Sequence, residues 1–153
     1  MGMPLRQAWF VNGTFYNSEV WCAFSKADIE VLEVLDGKIL RAILGAHCKV
    51  PSEMLYLETG AVPISHVISV RRLVYLQTIL KKSNNEIVKK VYLAQKRNPC
   101  NGDWIKLIDS DKKKYNLTIS DEEIEAMTEH DYKSLVKKRV KEEIILRALN
   151  HSK

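Results

Sequence analysis

The chain has 153 residues, 46% of them apolar and 28% charged, and a net charge of +5. That size suits one domain with a true core, or two small helical lobes, and the low Gly and Pro contents make extended loops few and disorder not the default. No stretch is long and uncharged enough to span a bilayer. Three scattered cysteines (Cys22, Cys48, Cys100), with no C-x-x-C pair, argue against a disulfide framework or a structural zinc site.

The segment Met1–Phe10 lacks a long apolar core, so no secretory leader is expected. The thiols fit a reducing interior, so we expect an intracellular protein of nucleus or cytoplasm with no membrane association.

In chain order the patterning predicts helices almost throughout. The first runs from Leu5 to Phe24, loosened at Gly13, with Trp9, Phe10, Phe15, Tyr16 and Trp21 as core anchors. Ser25 and Asp28 form a capping box for a helix to Leu44, whose apolar stripe is Leu32, Leu35, Ile39 and Ile43. Pro51 and Ser52 open a short helix that Gly60 closes. Pro63 then starts a helix over 64–81 that is apolar on nearly every side.

Asn84 or Asn85 caps a helix to Arg97. The loop Asn98-Pro99-Cys100-Asn101-Gly102 follows, then Asp103 caps a helix from Trp104 to Tyr115. Ser120 with Glu123 is a second capping box, for a short helix to Met127. A last helix starts at Thr128 or Asp131 and reaches Asn150, with Tyr132, Val136, Val140 and Ile144 as its seam. The expected fold is all-α, an irregular bundle of seven to eight helices, with a helical region over 1–98 and a smaller lobe over 99–153.

Charge is unevenly placed. Residues 1–61 hold 5 basic and 7 acidic groups, residues 62–120 hold 12 and 4, and residues 121–153 hold 7 and 8. The middle third is therefore strongly positive, the footprint of either a nucleic-acid contact or a solvated lysine face. Arg71 and Arg72 sit inside the apolar helix and need anionic acceptors there. Two sources stay open: internal carboxylates (Glu19, Asp36 or Glu58) or phosphates of a partner.

Lys81 and Lys82 follow on the same helix, and Lys89, Lys90, Lys96 and Arg97 lie on the next. Lys133, Lys137 and Lys141 recur every four residues on the last helix, where like charges repel unless a polyanion or neighbouring carboxylates relieve them. Tyr75, Tyr92 and Trp104 are either base-stacking or core residues.

Signals for catalysis are weak. Asp109 and Asp111 have the spacing of a metal-binding pair but read as surface salt bridging. His47 and Cys48 are adjacent without an orienting third group, and His66 reads as a satisfied core histidine. No phosphate loop, G-x-S-x-G or H-E-x-x-H is present, so no cofactor and no metal are expected.

These same residues are similar to a family pattern. The chain resembles the C-terminal portion of non-LTR retrotransposon reverse transcriptases, after the palm and thumb. Phe15-Tyr16-Asn17-Ser18-Glu19-Val20-Trp21 resembles that family's L-L-Y-G-x-E-T-W. Arg41-Ala42-Ile43-Leu44-Gly45 resembles R-x-I-L-G, and Thr59-Gly60 its following T-G. Pro63-Ile64, with Arg71-Arg72-Leu73 and Leu76, resembles P-I and R-R-L-x-x-L. Asn98-Pro99 with Gly102-Asp103-Trp104 is similar to one invertebrate-type subset.

The likeness covers about Leu5 to Trp104. It departs at Asn17, where a glycine is usual, and at Gln77-Thr78, where many relatives carry G-H. The closing Cys/His knuckle and the Y-x-D-D aspartates are missing, so two-metal polymerisation is not expected of this chain. The resemblance implies a fragment or shortened descendant of a transcriptase, a non-catalytic helical module that contacts the backbone of RNA or target DNA. The expected contacts are Arg71, Arg72, Lys81, Lys82, Lys89, Lys90, Lys133 and Lys137. The competing expectation is a protein-interaction module docking on a polymerase core or another protein. The sequence leaves oligomeric state open.

Overall fold

A computed structural model of the chain describes residues 2–21 and 25–151. Eight helices and no strand occur among the described residues, so the fold is all-α. Helix α1 joins an α-helical turn, Gly2–Leu5, a π-helical stretch, Arg6–Val11, and a last turn, Asn12–Thr14. A 3-10 turn, Ser18–Val20, precedes α2 (Lys26–Leu44), α3 (Ser52–Thr59) and α4 (Ile64–Leu80). These are followed by α5 (Ile87–Arg97), α6 (Trp104–Lys114), α7 (Asp121–Ala126) and α8 (Glu129–His151).

Local chemistry sets most of these limits. Both capping boxes form: Ser25 accepts from the Asp28 amide, and Ser120 accepts from the Glu123 amide, with the reciprocal bonds present. Gly45 and Gly60 end α2 and α3 in the left-handed region, at φ 63° and 66°. Helix α5 starts three residues after Asn84, with Glu86 as its N-cap.

The first helix stops well before the expected end. It ends at Thr14, and Asn17 turns the chain with φ 58°. The expected stretch to Phe24 includes residues 22–24, which lie outside the described residues. Of its aromatics, Phe15 is fully buried and meets Phe10 edge-on at 5.6 Å, but Trp9 is 80% exposed and Tyr16 71%.

Residues 2–18 and 25–68 form one compact unit, and residues 19–21 and 69–151 a second. The division falls inside α4, between Ile68 and Ser69. The expected lobe over 99–153 does not stand apart. Leu76 and Tyr92 share one core with Ile108, Tyr115, Tyr132 and Val136, because the seams of α4, α5, α6 and α8 converge there.

In the first unit the inward face of α2 keeps Leu32, Ile39 and Ile43 of the expected stripe half-buried but is rotated away from Leu35. Leu35 is largely exposed, while Asp36, Gly37 and Leu40 are buried. An ion pair fixes this rotation. Arg6 donates from Nε and Nη2 to the two oxygens of Asp36 at 2.7 and 2.6 Å, and the Tyr56 hydroxyl donates to Asp36 at 3.0 Å. With Arg6 buried, turning Asp36 outward would leave its guanidinium unpaired, which costs more than exposing Leu35. The π-helical stretch contains Arg6, the donor of that pair.

This unit also leaves much apolar surface outside. Leu5, Trp9, Tyr16, Val31, Val34, Leu35, Leu44, Met54, Leu57 and Val62 are exposed, against a buried set of Val11, Phe15, Leu40, Leu55, Ile64 and Ile68. No helix among the described residues is long and apolar enough to cross a membrane.

Candidate nucleic-acid interface

Arg72 lies inside the second unit. It is 9% exposed, and its Nη1 donates to Asp111 Oδ2 at 2.7 Å. The Ser69 hydroxyl donates to the other oxygen of Asp111 at 3.0 Å. Asp111 is therefore a buried partner of Arg72, which corrects its reading as a surface charge. Of the expected acceptors, Asp36 holds Arg6 instead. Burial pushes the Asp111 carboxyl above its ordinary range, against the pull of Arg72. Arg71, the next residue, is half-buried and engaged.

Lys89 is also withdrawn from solvent, at 7% exposure, and its Nζ donates to the Leu80 carbonyl. That carbonyl belongs to the last residue of α4, so Lys89 satisfies an orphan acceptor at a helix C-terminus, where a cation is favoured. Neither Arg72 nor Lys89 presents its charge to a strand.

Lys82 pairs with Glu86 at 3.1 Å. Lys96 and Lys112 converge on Asp121 at 2.5 and 3.0 Å, and the Tyr92 hydroxyl adds a bond at 2.6 Å. Burial raises the pKa of Asp121, but these three donors outweigh it and bring it down to about 2. This hub ties α5, α6 and α7 together.

The remaining lysines differ. Lys81, Lys90 and Lys137 are exposed and make no ion pair among the described residues. Lys133 donates to Glu129 at 2.6 Å. The hydrogen bond and charge of Lys133, with the charge of Lys81, hold Glu129 below the usual carboxylate range. Of the two, only Lys133 is bonded to that carboxylate.

One and two turns further along α8, Lys137, Lys138 and Lys141 face solvent without an ion-pair partner among the described residues. Lys138 was not singled out in the sequence. Its angular position, opposite the seam Tyr132, Val136 and Val140, is the sequence signal that could have found it.

The aromatic candidates belong to the core. Tyr92 and Trp104 are buried and Tyr75 half-buried, with edge-on contacts to Trp104 at 6.1 and 6.4 Å. Gln77 is buried and donates to the Ile124 and Met127 carbonyls at 2.9 and 3.0 Å, so it is a structural strut. His66 is buried and engaged. His47 Nδ1 accepts from the Lys49 amide at 3.2 Å and lies 3.7 Å from Cys48 Sγ, on the surface. Among the described residues no cluster of three or more His, Cys, Asp or Glu could hold a metal ion.

Comparison with protein-family models, with curated proteins and with solved structures gives no match.

Proposed function

We propose that this chain is a non-catalytic helical module of a retrotransposon-type reverse transcriptase, and that it contacts the phosphate backbone of RNA or target DNA. The observation that carries the reading is the lysine surface of the second unit. Lys81 is exposed after the end of α4, Lys133 pairs with Glu129 at the start of α8, and Lys137, Lys138 and Lys141 continue along α8 without an ion-pair partner among the described residues. Like charges held together on one helix face repel in the free protein and are relieved when a polyanion binds and counterions leave. Lys90 is a further exposed contact, on α5. Arg72 and Lys89 drop out, and Lys82 is a weaker candidate because Glu86 holds it.

Backbone geometry supports the family reading. Asn17 stands at the glycine of the motif that its segment resembles, and it adopts φ 58°, a region that glycine and asparagine tolerate best. Arg41 of the R-x-I-L-G-like segment donates to the Val50 carbonyl at 2.8 Å, and Gly45 of the same segment closes α2.

The test is salt dependence. With three phosphate contacts on duplex DNA, affinity should fall about 40-fold between 50 and 200 mM salt. Binding that ignores salt, or no binding at low salt, overturns the proposal.

A second reading has its own observation. Exposed apolar side chains outnumber buried ones in the first unit, with Trp9 the most prominent. Large apolar surface of that kind, with an exposed Trp, marks a protein interface. Docking onto a polymerase core through this unit would be insensitive to salt. Trp9→Ser should abolish co-purification with such a core, and unchanged co-purification counts against it.

A further inference from the structure

We infer that the exposed ridge of α8 takes double-helical rather than single-stranded nucleic acid. This rests on the backbone-binding reading above and adds the strand state of the ligand. Three observations carry it.

The first is shape. Tyr132, Val136 and Val140 are buried, and Lys137, Lys138 and Lys141 point the other way, as do His130 and Ser134. The lysines therefore stand on the outward side of a long helix, which is a convex ridge. Proteins that hold single strands use a basic groove that tracks the backbone. A convex ridge instead meets the outer surface of a cylinder.

The second is the fate of the aromatic rings. Single-strand binding draws much of its energy from bases stacked on exposed aromatics. In the second unit Tyr92, Trp104, Tyr115 and Tyr132 are buried, and Trp21 and Tyr75 are half-buried. The Tyr132 hydroxyl donates to the Leu73 carbonyl at 2.7 Å, and the Tyr92 hydroxyl to Asp121. Two of these rings are thus anchored at their polar ends as well as packed, and cannot turn out to meet a base without breaking the core.

The third is charge density. Lys133 to Lys141 spans about 12 Å of a rigid helix. Along 12 Å a duplex presents roughly seven phosphates, and a single strand about half as many. Short of a groove to wrap a flexible strand, the ridge gains most from the denser array. The cations on the ridge are Lys137, Lys138 and Lys141, with Asp131 and Glu142 exposed on its flank; lysines act as point charges rather than bidentate readers of bases, so binding is independent of sequence.

The experiment uses the full chain and mixed-sequence oligonucleotides of roughly 20 base pairs or nucleotides: a DNA duplex, an RNA duplex and their separate strands, at 50 and 200 mM salt. Both duplexes are expected to bind at least about tenfold more tightly than their strands. The two duplex arms show whether DNA or RNA is the source. Lys137→Glu with Lys138→Glu and Lys141→Glu should lower duplex affinity by at least about tenfold at an unchanged circular dichroism spectrum. Replacement of the same three lysines by glutamine should act in the same direction and guards against a charge-reversed variant that does not fold. Strands that bind as tightly as duplexes, with steep salt dependence, overturn the duplex inference and leave the backbone reading intact. Duplex binding unaffected by either triple variant overturns the assignment to α8. No binding of any oligonucleotide at 50 mM salt overturns both the inference and the reading beneath it.

Discussion

Arg72 and Asp111 form an ion pair at 2.7 Å with both side chains nearly closed to solvent. Such a pair gains little against an apolar substitute, but losing one member is costly, because the other charge stays buried. Arg72→Ala should therefore destabilise the chain by about 3–5 kcal/mol while leaving nucleic-acid affinity nearly unchanged. The pH dependence follows from Asp111, whose pKa in the folded protein lies above the ordinary 3.8 chiefly through burial. A carboxyl raised in this way binds more protons folded than unfolded, so it costs stability as pH rises above about 4. Removing Arg72 raises that pKa further and widens the costly window. Chemical denaturation should show a smaller deficit for Arg72→Ala at pH 4 than at pH 7. An equal deficit at both values counts against the buried pair.

Two lysines separate the structural role from the binding role. Lys89 caps the last carbonyl of α4, whereas Lys81 stands in solvent beside Glu129. Lys89→Met keeps the aliphatic stem and removes the cap, at an expected cost of about 1.5–3 kcal/mol with affinity retained. Lys81→Ala should do the reverse, lowering affinity and the salt slope by about one contact while the melting temperature holds. If Lys89→Met instead weakens binding without destabilising the chain, its placement in the core is wrong.

Asp121 ties the stability of its three-donor hub to pH. Burial opposes its charge, but Lys96, Tyr92 and Lys112 bring its pKa down to about 2. A depressed carboxyl contributes stability above its unfolded pKa and loses that contribution as pH falls through the folded value. Asp121→Asn should therefore be much less stable than the parent at pH 7. The gap should close between about pH 4 and pH 2, and thermal melts across that interval decide it. A gap that persists at pH 2 assigns the loss to side-chain packing rather than charge.

The helices were legible wherever local signals set them. Ser25 with Asp28, Ser120 with Glu123 and the glycines at 45 and 60 mark element ends through bonds within a few residues. The seam of α8 was equally plain, because Tyr132, Val136 and Val140 repeat at helical spacing and are all buried.

What was not legible is long-range pairing. The spacing of Leu32, Leu35, Ile39 and Ile43 points α2 one way. Leu32, Ile39 and Ile43 stay half-buried, but Arg6, thirty residues upstream, draws Asp36 inward in place of Leu35. The need of an arginine in an apolar helix for an acceptor was readable, but Asp111, thirty-nine residues on, was not identifiable as that acceptor. Periodicity gives a helix its faces; which face is buried depends on partners distant in sequence. The same limit applied to Lys89, whose acceptor becomes visible only once α4 ends beside it.

The last prediction concerns Asn17, which stands at the glycine of the transcriptase motif that the segment around it resembles. Its φ of 58° is one that a β-branched or bulky residue enters only at a cost of roughly 1–2 kcal/mol. Asparagine lowers that cost by local hydrogen bonding, and glycine removes the steric part while losing more entropy on folding. Asn17→Gly should therefore leave stability within about 0.5 kcal/mol of the parent, and Asn17→Val should cost about 1–2 kcal/mol. Asn116, at φ 52°, is the internal comparison: it shares the conformation but lies outside the transcriptase-like segments. The same substitutions there should behave alike if backbone geometry alone is responsible. Should Asn17→Gly destabilise strongly while Asn116→Gly does not, the asparagine side chain at 17 has a task of its own, and its equivalence to the family glycine fails.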